Sequence, residues 1–389
     1  MKPLLSLTTF LSILTFTAAQ NPAPPPRVPP GVKALRDLAY IEGGHERQKL
    51  DLYLPEKAAG PLPVIIWVHG GGWQAGSKDG CPPLRGGYLE RGYAVASIGY
   101  RLSQHAVFPA QIEDCKAAIR FLRAHAQEYG LDTAHFGVWG SSAGGHLVAL
   151  IGTSGDVKDF EVGANLDQSS RVQAVCDFYG PTDFTAFVTT PSYESHATAA
   201  SPEAKLIGGA VMENKDKAAR VNPITYVSKD DPVFLIVHGD KDPTVPINQS
   251  QLLFEALKKV GLTPHLHVIH GAGHGGPGFN EPKIEEMVAQ FFDAQLKGKA
   301  TPGSTAEAQT TESTVTPSAA AGPRPGAPAT ARSGIPSFEE ILSRMDTNKD
   351  GKISREEFRG PAELFQRLDR NGDGFISREE HEAGPLPEK

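Results

Sequence analysis

The sequence predicts an α/β fold, in which helices cover both faces of a mostly parallel sheet, followed by a small helical module. Two patterns predict the larger unit: short apolar runs typical of buried strands, and amphipathic stretches of helical periodicity between most of them. Alternation of the two indicates parallel strands joined by crossover helices. Two acidic, glycine-containing loops near the C-terminus predict the small module.

Six apolar runs are expected to form strands, and an earlier pair resembles an antiparallel hairpin at one edge of the sheet. The runs lie at 62–70, 93–100, 135–140, 172–180, 233–239 and 265–271, and the hairpin at 38–55. Between the strands, two segments carry an apolar face at helical spacing. These faces are Ile112, Cys115, Ile119 and Leu122, and Ile284, Met287, Val288, Phe291 and Leu296.

The composition divides the chain into four parts. Residues 1–19 have the layout of a signal peptide, with a retained membrane anchor as the alternative. Residues 36–298 are expected to form the larger unit, with an insert at about 183–228 that covers its site. Residues 299–334 are rich in Pro, Ala and Thr and predict a linker, because they lack large apolar side chains. The small module follows at 335–389.

The composition is that of a soluble protein, and the signal-peptide layout of residues 1–19 predicts that it is exported. Hydrophobic residues make up 39% of the 389 residues, and the formal net charge of −7 argues against a general nucleic-acid binder. No later segment is apolar enough to span a membrane, so the mature chain is expected to be secreted or periplasmic, without membrane contact. The three cysteines, Cys81, Cys115 and Cys176, allow either one disulfide with one buried thiol or three buried thiols.

The stretch "VWGSSAGGH" at 138–146 predicts a nucleophilic serine. Its G-x-S-x-G pattern fits only Gly140, Ser142 and Gly144, and it lies between a strand and a helical run. A sharp turn there exposes the Ser142 hydroxyl above the sheet edge, where the helix dipole favours developing negative charge.

A serine hydroxyl becomes nucleophilic when a base takes its proton and a carboxylate orients that base. Two later strands end in loops that offer Asp240 and Asp242, and His270 and His274. We predict Asp242 and His274 as the partners, because the other two follow their strands directly and small residues give His274 room. The alternative for each side chain is a solvated loop residue.

The glycine-rich "VHGGGW" at 68–73 predicts an oxyanion hole. Successive glycines let backbone N–H groups approach one oxygen without obstruction by side chains. The expected donors are the N–H groups of Gly71, Gly72 and Ala143, and the alternative is a flexible turn.

Together these motifs resemble the α/β-hydrolase fold over residues 36–298, and in particular bacterial esterases with a hormone-sensitive-lipase-like "HGGGW". The segments "YRLSQHAVFPAQIEDCKAAIRFLRAH" and "NPITYVSKDDPVFLIVHGDKDPTVP" are similar to secreted esterases grouped with feruloyl and acetylxylan esterases and prolyl-oligopeptidase-like hydrolases. The resemblance implies Ser142 as nucleophile, Asp242 as orienting acid and His274 as base. It implies no cofactor for catalysis, and a small ester or an esterified polysaccharide as substrate.

Other activities remain open from the sequence. Prolyl oligopeptidases carry a propeller that this chain lacks, so peptidase activity is a minor alternative. Some kynurenine formamidases have an HGGxW-type element, so small-amide hydrolysis is a second alternative. A calcium-dependent attachment protein with a secondary or inactive hydrolase domain is a third. In the insert, Phe184, Phe187 and Tyr193 could contact substrate or simply pack.

The loops at 346–357 and 369–380 both fit D-x-N-x-D-G-x₅-E, and they resemble a paired EF-hand with dockerin-like spacing. Oxygen ligands in this pattern favour Ca²⁺, whose expected role is structural, and the alternative is two acidic loops without calcium. The first loop would supply Asp346, Asn348, Asp350, the Lys352 carbonyl, Ser354 through water and Glu357. The second would supply Asp369, Asn371, Asp373, the Phe375 carbonyl, Ser377 and Glu380. A scaffold or cell-surface partner for this module is a further expectation.

Overall fold

The structure, a computed structural model, describes residues 28–298 and, near the C-terminus, residues 352–355, 357–358, 365, 367–369 and 375–377. The chain divides into two compact units, residues 1–308 and 309–389. The predicted signal peptide and the predicted linker lie outside the described residues.

Eight strands form one sheet in the larger unit. They are β1 (Val32–Ala39), β2 (Lys49–Pro55), β3 (Leu62–Val68), β4 (Ala94–Ile98), β5 (Leu131–Ser141), β6 (Ala174–Phe178), β7 (Val233–Gly239) and β8 (His265–Ile269). Their order in the sheet is β1-β2-β4-β3-β5-β6-β7-β8. The pairs β1–β2 and β2–β4 are antiparallel, and all other neighbours are parallel. The predicted class and the edge hairpin are therefore confirmed.

The first strand of the hairpin starts earlier than predicted. Val32 already pairs with Pro55, and Ala34 pairs with Tyr53, so β1 begins six residues before the predicted hairpin at 38–55. The charged side chains of Lys33, Arg36 and Asp37 within β1 hide its alternating pattern.

Eight α-helices lie in the described part of the larger unit. They are α1 (Ala110–Ala124), α2 (Ala126–Tyr129), α3 (Ala143–Thr153), α4 (Phe184–Val188), α5 (Pro202–Ile207), α6 (Lys215–Val221), α7 (Asn248–Lys259) and α8 (Pro282–Lys297). Short 3₁₀ helices lie at Pro82–Leu84, Lys158–Phe160, Glu194–Ala197, Val211–Glu213, Pro223–Tyr226 and Pro277–Asn280. The insert at 183–228 consists of α4, α5, α6 and three of these 3₁₀ helices.

The inner strands of the sheet are buried on both faces, as predicted, whereas the edge strands β1 and β8 are mostly half-buried or exposed. Along β3, Val64 and Ile66 join the hydrophobic core that contains α1, α3 and α7, whereas Ile65 and Trp67 join the core beneath α8. Side chains alternate between the faces of a strand, so a strand between two helical layers is apolar at nearly every position. Among the described residues, no helix has the length and apolar character needed to cross a membrane.

The three cysteines are free and buried, which agrees with the second alternative given above. The predicted helix faces are buried as well, except that Met287 is only partly covered.

In the smaller unit, two short strands pair antiparallel: β9 (Ile353–Ser354) and β10 (Phe375–Ile376). Ile353 lies opposite Ile376, and Ser354 lies opposite Phe375. Phe365 and Leu368 pack with both isoleucines in a small core.

Candidate active site

Ser142 occupies the turn between β5, which ends at Ser141, and α3, which begins at Ala143. Its backbone has φ 55° and ψ −123°, a sparsely populated conformation that costs about 1–3 kcal/mol. The N–H of Ser142 donates to the carbonyl oxygen of Phe178 at 2.8 Å and helps to hold this conformation. A Cβ placed on Gly140 would lie 2.3 Å from the carbonyl oxygen of Gly144, so the turn closes only because residue 140 is glycine.

His274 links the serine to a carboxylate. Its Nε2 lies 2.9 Å from Oγ of Ser142, and its Nδ1 lies 2.7 Å from Oδ2 of Asp242. A carboxylate only accepts hydrogen bonds, so Nδ1 carries the hydrogen and Nε2 is free to accept the proton of the serine hydroxyl. The loops after β7 and β8 bring these side chains together, because neighbouring parallel strands end at the same edge of the sheet. The structure thus joins the three residues chosen from the sequence in one hydrogen-bonded chain; their catalytic roles remain a prediction.

Asp242 is buried and held from several sides. Its Oδ1 accepts hydrogen bonds from the N–H groups of Thr244 at 2.8 Å and Val245 at 2.9 Å. Its Oδ2 also lies 3.3 Å from Nε2 of His238. Burial raises the pKa of Asp242, but the hydrogen bonds from His238, His274 and Val245 outweigh burial and hold that pKa well below its ordinary value. The carboxylate is therefore charged at neutral pH.

His238 was not predicted from the sequence. It is the penultimate residue of β7, fully buried, with Nδ1 2.7 Å from Oγ of Ser250 and Nε2 3.0 Å from the carbonyl oxygen of Val245. A polar side chain in an apolar strand just before the candidate acid was the only sequence signal for it.

The two rejected alternatives form a pair of their own. Nδ1 of His270 lies 2.9 Å from Oδ2 of Asp240, and 85% of the His270 side chain is exposed. This second pair follows the same two strands as Asp242 and His274.

The three predicted oxyanion donors, Gly71, Gly72 and Ala143, line a cavity of about 370 Å³ together with Ser142 and His274. Gly71 has φ 110°, and a Cβ there would lie 2.5 Å from the carbonyl oxygen of Ala75, so only glycine fits. The Gly71 carbonyl accepts hydrogen bonds from the N–H groups of Gln74 and Ala75, both at 3.0 Å. The glycine-rich stretch is therefore a hydrogen-bonded turn beside the serine.

His69, the residue before the glycines, stabilises this turn. It stacks on the ring of Tyr100 with the centroids 4.3 Å apart, and its Nδ1 lies 2.8 Å from the carbonyl oxygen of Gly70. Burial lowers the pKa of His69 to about 4, so the ring is neutral at pH 7. Nδ1 then donates to Gly70, and Nε2 accepts from the Arg47 guanidinium at 3.3 Å.

The insert forms part of the cavity wall. A Cβ placed on Gly72 would lie 3.4 Å from Cβ of Pro202, the first residue of α5. The Tyr193 hydroxyl donates to the carbonyl oxygen of Asp242, whereas Phe184 and Phe187 are fully buried and serve packing.

The insert also supplies His196 and Glu203 to the cavity. These two residues were not predicted from the sequence, because they lie in a segment without clear periodicity.

For the predicted calcium sites, the structure describes Lys352, Ser354, Glu357, Asp369, Phe375 and Ser377. The other predicted ligands, Asp346, Asn348, Asp350, Asn371, Asp373 and Glu380, lie outside the described residues. The Ser354 hydroxyl donates to Oε2 of Glu357 at 2.8 Å, which brings two predicted ligand positions together. An oxygen-only donor set of carboxylates, amides and carbonyls fits a hard cation such as Ca²⁺.

A family model supports the architecture around this site. The BD-FAE model matches residues 50–257, more than half of the chain. The chain belongs to the BD-FAE family. The matched part of this BD-FAE chain includes Ser142 and Asp242, while His274 lies beyond it. An EF-hand model matches residues 338–360 and 362–380.

Solved structures similar to this BD-FAE chain include carbohydrate esterases. A truncated carbohydrate esterase from gut microbiota is 33% identical, covers 68% of this chain and 96% of its own, and has a TM-score of 0.61. A bifunctional GH43-CE protein from Bacteroides eggerthii is 40% identical, covers 67% of this chain and 38% of its own, and has a TM-score of 0.63. The larger unit therefore has the predicted α/β-hydrolase fold.

Curated relatives of this BD-FAE chain are named as esterases. Esterase LipC of Mycobacterium tuberculosis is 31% identical over 66% of this chain and 65% of its own length. The carboxylic ester hydrolase LipM of the same organism, described as probable, is 29% identical over 67% of this chain and 62% of its own length. The chain thus spans less than two thirds of the length of these relatives.

Proposed function

We propose that this chain is a serine hydrolase that cleaves carboxylic esters through an acyl-enzyme. The observation that carries the proposal is the hydrogen-bonded chain from Oγ of Ser142 through His274 to Asp242, with distances of 2.9 and 2.7 Å. This is the arrangement that turns a serine hydroxyl into a nucleophile at neutral pH.

In the first half of the reaction, Oγ of Ser142 attacks the ester carbonyl carbon while its proton moves to Nε2 of His274. The resulting imidazolium is stabilised by the charged Asp242. The tetrahedral intermediate then expels the alcohol, which takes the proton from His274, and the acyl group remains on Ser142.

In the second half, water attacks the acyl-enzyme and gives its proton to Nε2 of His274. The second tetrahedral intermediate collapses, the carboxylic acid leaves, and Oγ of Ser142 recovers its proton. Hydrolysis of one ester molecule thus consumes one water and yields one carboxylic acid and one alcohol.

The oxyanion formed in both halves needs preorganised donors. The N–H groups of Gly71, Gly72 and Ala143 are proposed for this task, because their residues line the cavity at Ser142. Losing one donor of this kind typically lowers kcat by about 10²–10³-fold. The turn at Gly71 supports the assignment, since donors that are already fixed cost no reorganisation during the reaction.

For the substrate, we propose short-chain acetyl or feruloyl esters of plant polysaccharide. Two similar solved structures support this proposal. One is the carbohydrate esterase from gut microbiota, and the other is an acetyl ester-xyloside bifunctional hydrolase from Caldicellulosiruptor lactoaceticus, which is 25% identical. Rates on acetylated xylan, methyl ferulate and short p-nitrophenyl esters would rank these classes.

The test of the nucleophile is covalent labelling. A fluorophosphonate should label the wild-type chain on the peptide that contains Ser142, and should fail to label Ser142→Ala. The neighbouring Ser141→Ala variant should still be labelled, which makes it the matched control. A wild-type chain that neither reacts with the probe nor hydrolyses p-nitrophenyl acetate would contradict the proposal and favour an attachment role.

We also propose that the C-terminal module binds Ca²⁺ through the oxygen ligands named above, and that the chain is exported after cleavage behind Ala19. A calcium titration monitored by calorimetry tests the first proposal. Absence of a binding heat up to about 10 mM calcium would contradict it. The N-terminal sequence of the mature chain tests the second.

A further inference from the structure

A histidine–glutamate pair lies in the cavity wall beside the candidate nucleophile, and the proposed reaction leaves it unused. His196 belongs to the 3₁₀ helix Glu194–Ala197, and Glu203 belongs to the first turn of α5. Nδ1 of His196 lies 2.9 Å from Oε2 of Glu203. Both residues line the same cavity as Ser142 and His274.

The pair is held rigidly by its surroundings. The Glu203 side chain is 4% exposed, and α5 is capped by Ser201, whose hydroxyl accepts from the N–H of Ala204 at 3.1 Å. The His196 ring packs on the buried ring of Phe187, with the centroids 4.6 Å apart. Such fixed side chains recognise a ligand without a large loss of conformational entropy.

The hydrogen bond to Glu203 determines which ring nitrogen of His196 remains free to bind a ligand. A carboxylate accepts and does not donate, so Nδ1 of His196 carries a hydrogen and points at Glu203. Among the described residues, no group forms a hydrogen bond with Nε2 of His196. The side chain remains 18% exposed in a residue that lines the cavity, which leaves Nε2 as the polar atom available to a ligand.

We propose that Nε2 of His196 binds a hydroxyl group of the ester substrate, with Glu203 as its positioning residue. This inference rests on the proposed esterase function and specifies the substrate that the site prefers. A hydroxyl both donates and accepts, so it pairs with Nε2 whether the imidazole is neutral or protonated. A carboxylate would suit only the protonated ring, and an ammonium group only the neutral one.

The electrostatics of the pair agree with this choice. The hydrogen bond to Glu203 raises the pKa of His196, against the opposing effect of burial. The charged ring is therefore favoured more than in a free histidine, and a hydroxyl can pair with Nε2 in either protonation state.

The hydroxyl has two chemical sources in the proposed substrates. It belongs either to the sugar that forms the alcohol part, or to the phenol of a hydroxycinnamoyl acyl part. Two matched ester pairs distinguish them. The first pair is the monoacetate of trans-cyclohexanediol and cyclohexyl acetate. The second is methyl para-hydroxycinnamate and methyl cinnamate.

The measurement is the ratio of kcat/KM for the hydroxylated ester to kcat/KM for its partner. In His196→Ala we expect this ratio to fall about tenfold in one of the two pairs, as for the loss of one hydrogen bond. The pair that responds identifies the source of the hydroxyl. Glu203→Gln, which still accepts from Nδ1, should keep the ratio close to that of wild type, whereas Glu203→Ala should lower it.

The matched control is His135→Ala. His135 also holds a carboxylate through Nδ1, at 2.7 Å from Oδ2 of Asp132, but its side chain is on the surface and does not line the cavity. The ratios in this variant should equal those of wild type. Thermal unfolding of every variant separates a folding defect from a lost contact.

Ratios that stay at the wild-type value in His196→Ala for both ester pairs would overturn this inference while the esterase function stands. This includes the case in which kcat/KM falls by the same factor for both members of each pair, because such a fall indicates a structural role for His196. Wild-type protein that hydrolyses none of the four esters but is labelled at Ser142 would also overturn the inference alone. Absence of both hydrolysis and labelling would overturn the proposed function and the inference with it.

Discussion

Two Asp–His pairs follow the same two strands of the sheet, and they differ in almost everything except their local geometry. Asp240 and His270 form one pair, and Asp242 and His274 form the other. In both pairs Nδ1 of the histidine meets Oδ2 of the aspartate, at 2.9 and 2.7 Å. A hydrogen bond between aspartate and histidine is therefore not by itself a sign of catalysis.

The difference lies in burial and in further partners. The Asp242 side chain is fully buried and accepts from His238 and two backbone N–H groups, whereas that of Asp240 is 26% exposed and accepts from one backbone N–H, that of Gly271. Nε2 of His274 reaches Oγ of Ser142, whereas most of the His270 ring is in solvent. An exposed pair of this kind is worth about 0–1 kcal/mol, because water screens it and competes for its hydrogen bonds.

The largest difference in activity between the two pairs is expected when their histidines are replaced. His274→Ala should lower kcat by about 10⁴–10⁶-fold, since the serine loses its base. His270→Ala should leave kcat within about twofold, because its ring only contacts an exposed carboxylate. Rates of p-nitrophenyl acetate hydrolysis measure both. A loss of activity in His270→Ala that matches that in His274→Ala would contradict the assignment of the base.

The second largest difference in activity is expected when the two aspartates are replaced. Asp242→Asn should lower kcat by about 10⁴-fold, because an amide lets His274 adopt the wrong tautomer and does not stabilise the imidazolium. Asp240→Asn should retain nearly the wild-type rate. The same assay measures both variants, and circular dichroism checks that each is folded. Equal rates for the two variants would show that Asp242 does not orient the base.

The fold was largely predictable from the sequence, because its signals are local. Each of the six apolar runs became a strand, since a buried parallel strand is apolar along its length and its ends carry glycine or polar residues. The start of β1 at Val32 was missed for the same local reason, because charged side chains interrupt its pattern.

The site was predictable where order along the chain determines proximity in space. Ser142, Asp242 and His274 follow three strands of one sheet, so their meeting at its edge could be expected. His238 and the pair His196–Glu203 could not be found this way. His238 matters only through its contact with Asp242, and the pair forms because a 3₁₀ helix folds back on the start of α5. Such contacts depend on tertiary packing, which a single sequence does not display.

Substitution of His238 tests whether its contact with Asp242 contributes to the difference between the two pairs. In His238→Ala, Asp242 loses one side-chain donor, and kcat/KM should fall about tenfold. His238→Gln, which can still donate, should recover part of that loss. The pH profile of kcat/KM separates positioning from packing, since a mere packing defect lowers the rate equally at every pH. A wild-type rate in His238→Ala would show that the backbone N–H groups suffice to hold Asp242.

The smallest effect is on stability in acid. Because the folded protein holds the pKa of Asp242 below its ordinary value of about 3.9, ionised Asp242 stabilises the fold above about pH 4. That contribution is lost as the pH falls below about 4 toward the pKa of the folded state. The free energy of unfolding of wild type should therefore decrease more steeply below about pH 4 than that of Asp242→Asn. The hydrogen bond from His270 also lowers the pKa of Asp240, but this carboxylate is close to solvent, so Asp240→Asn should change the slope less. Urea unfolding at several pH values measures the three slopes. An acid dependence in Asp242→Asn as steep as that in Asp240→Asn would mean that burial has not made the two carboxylates different.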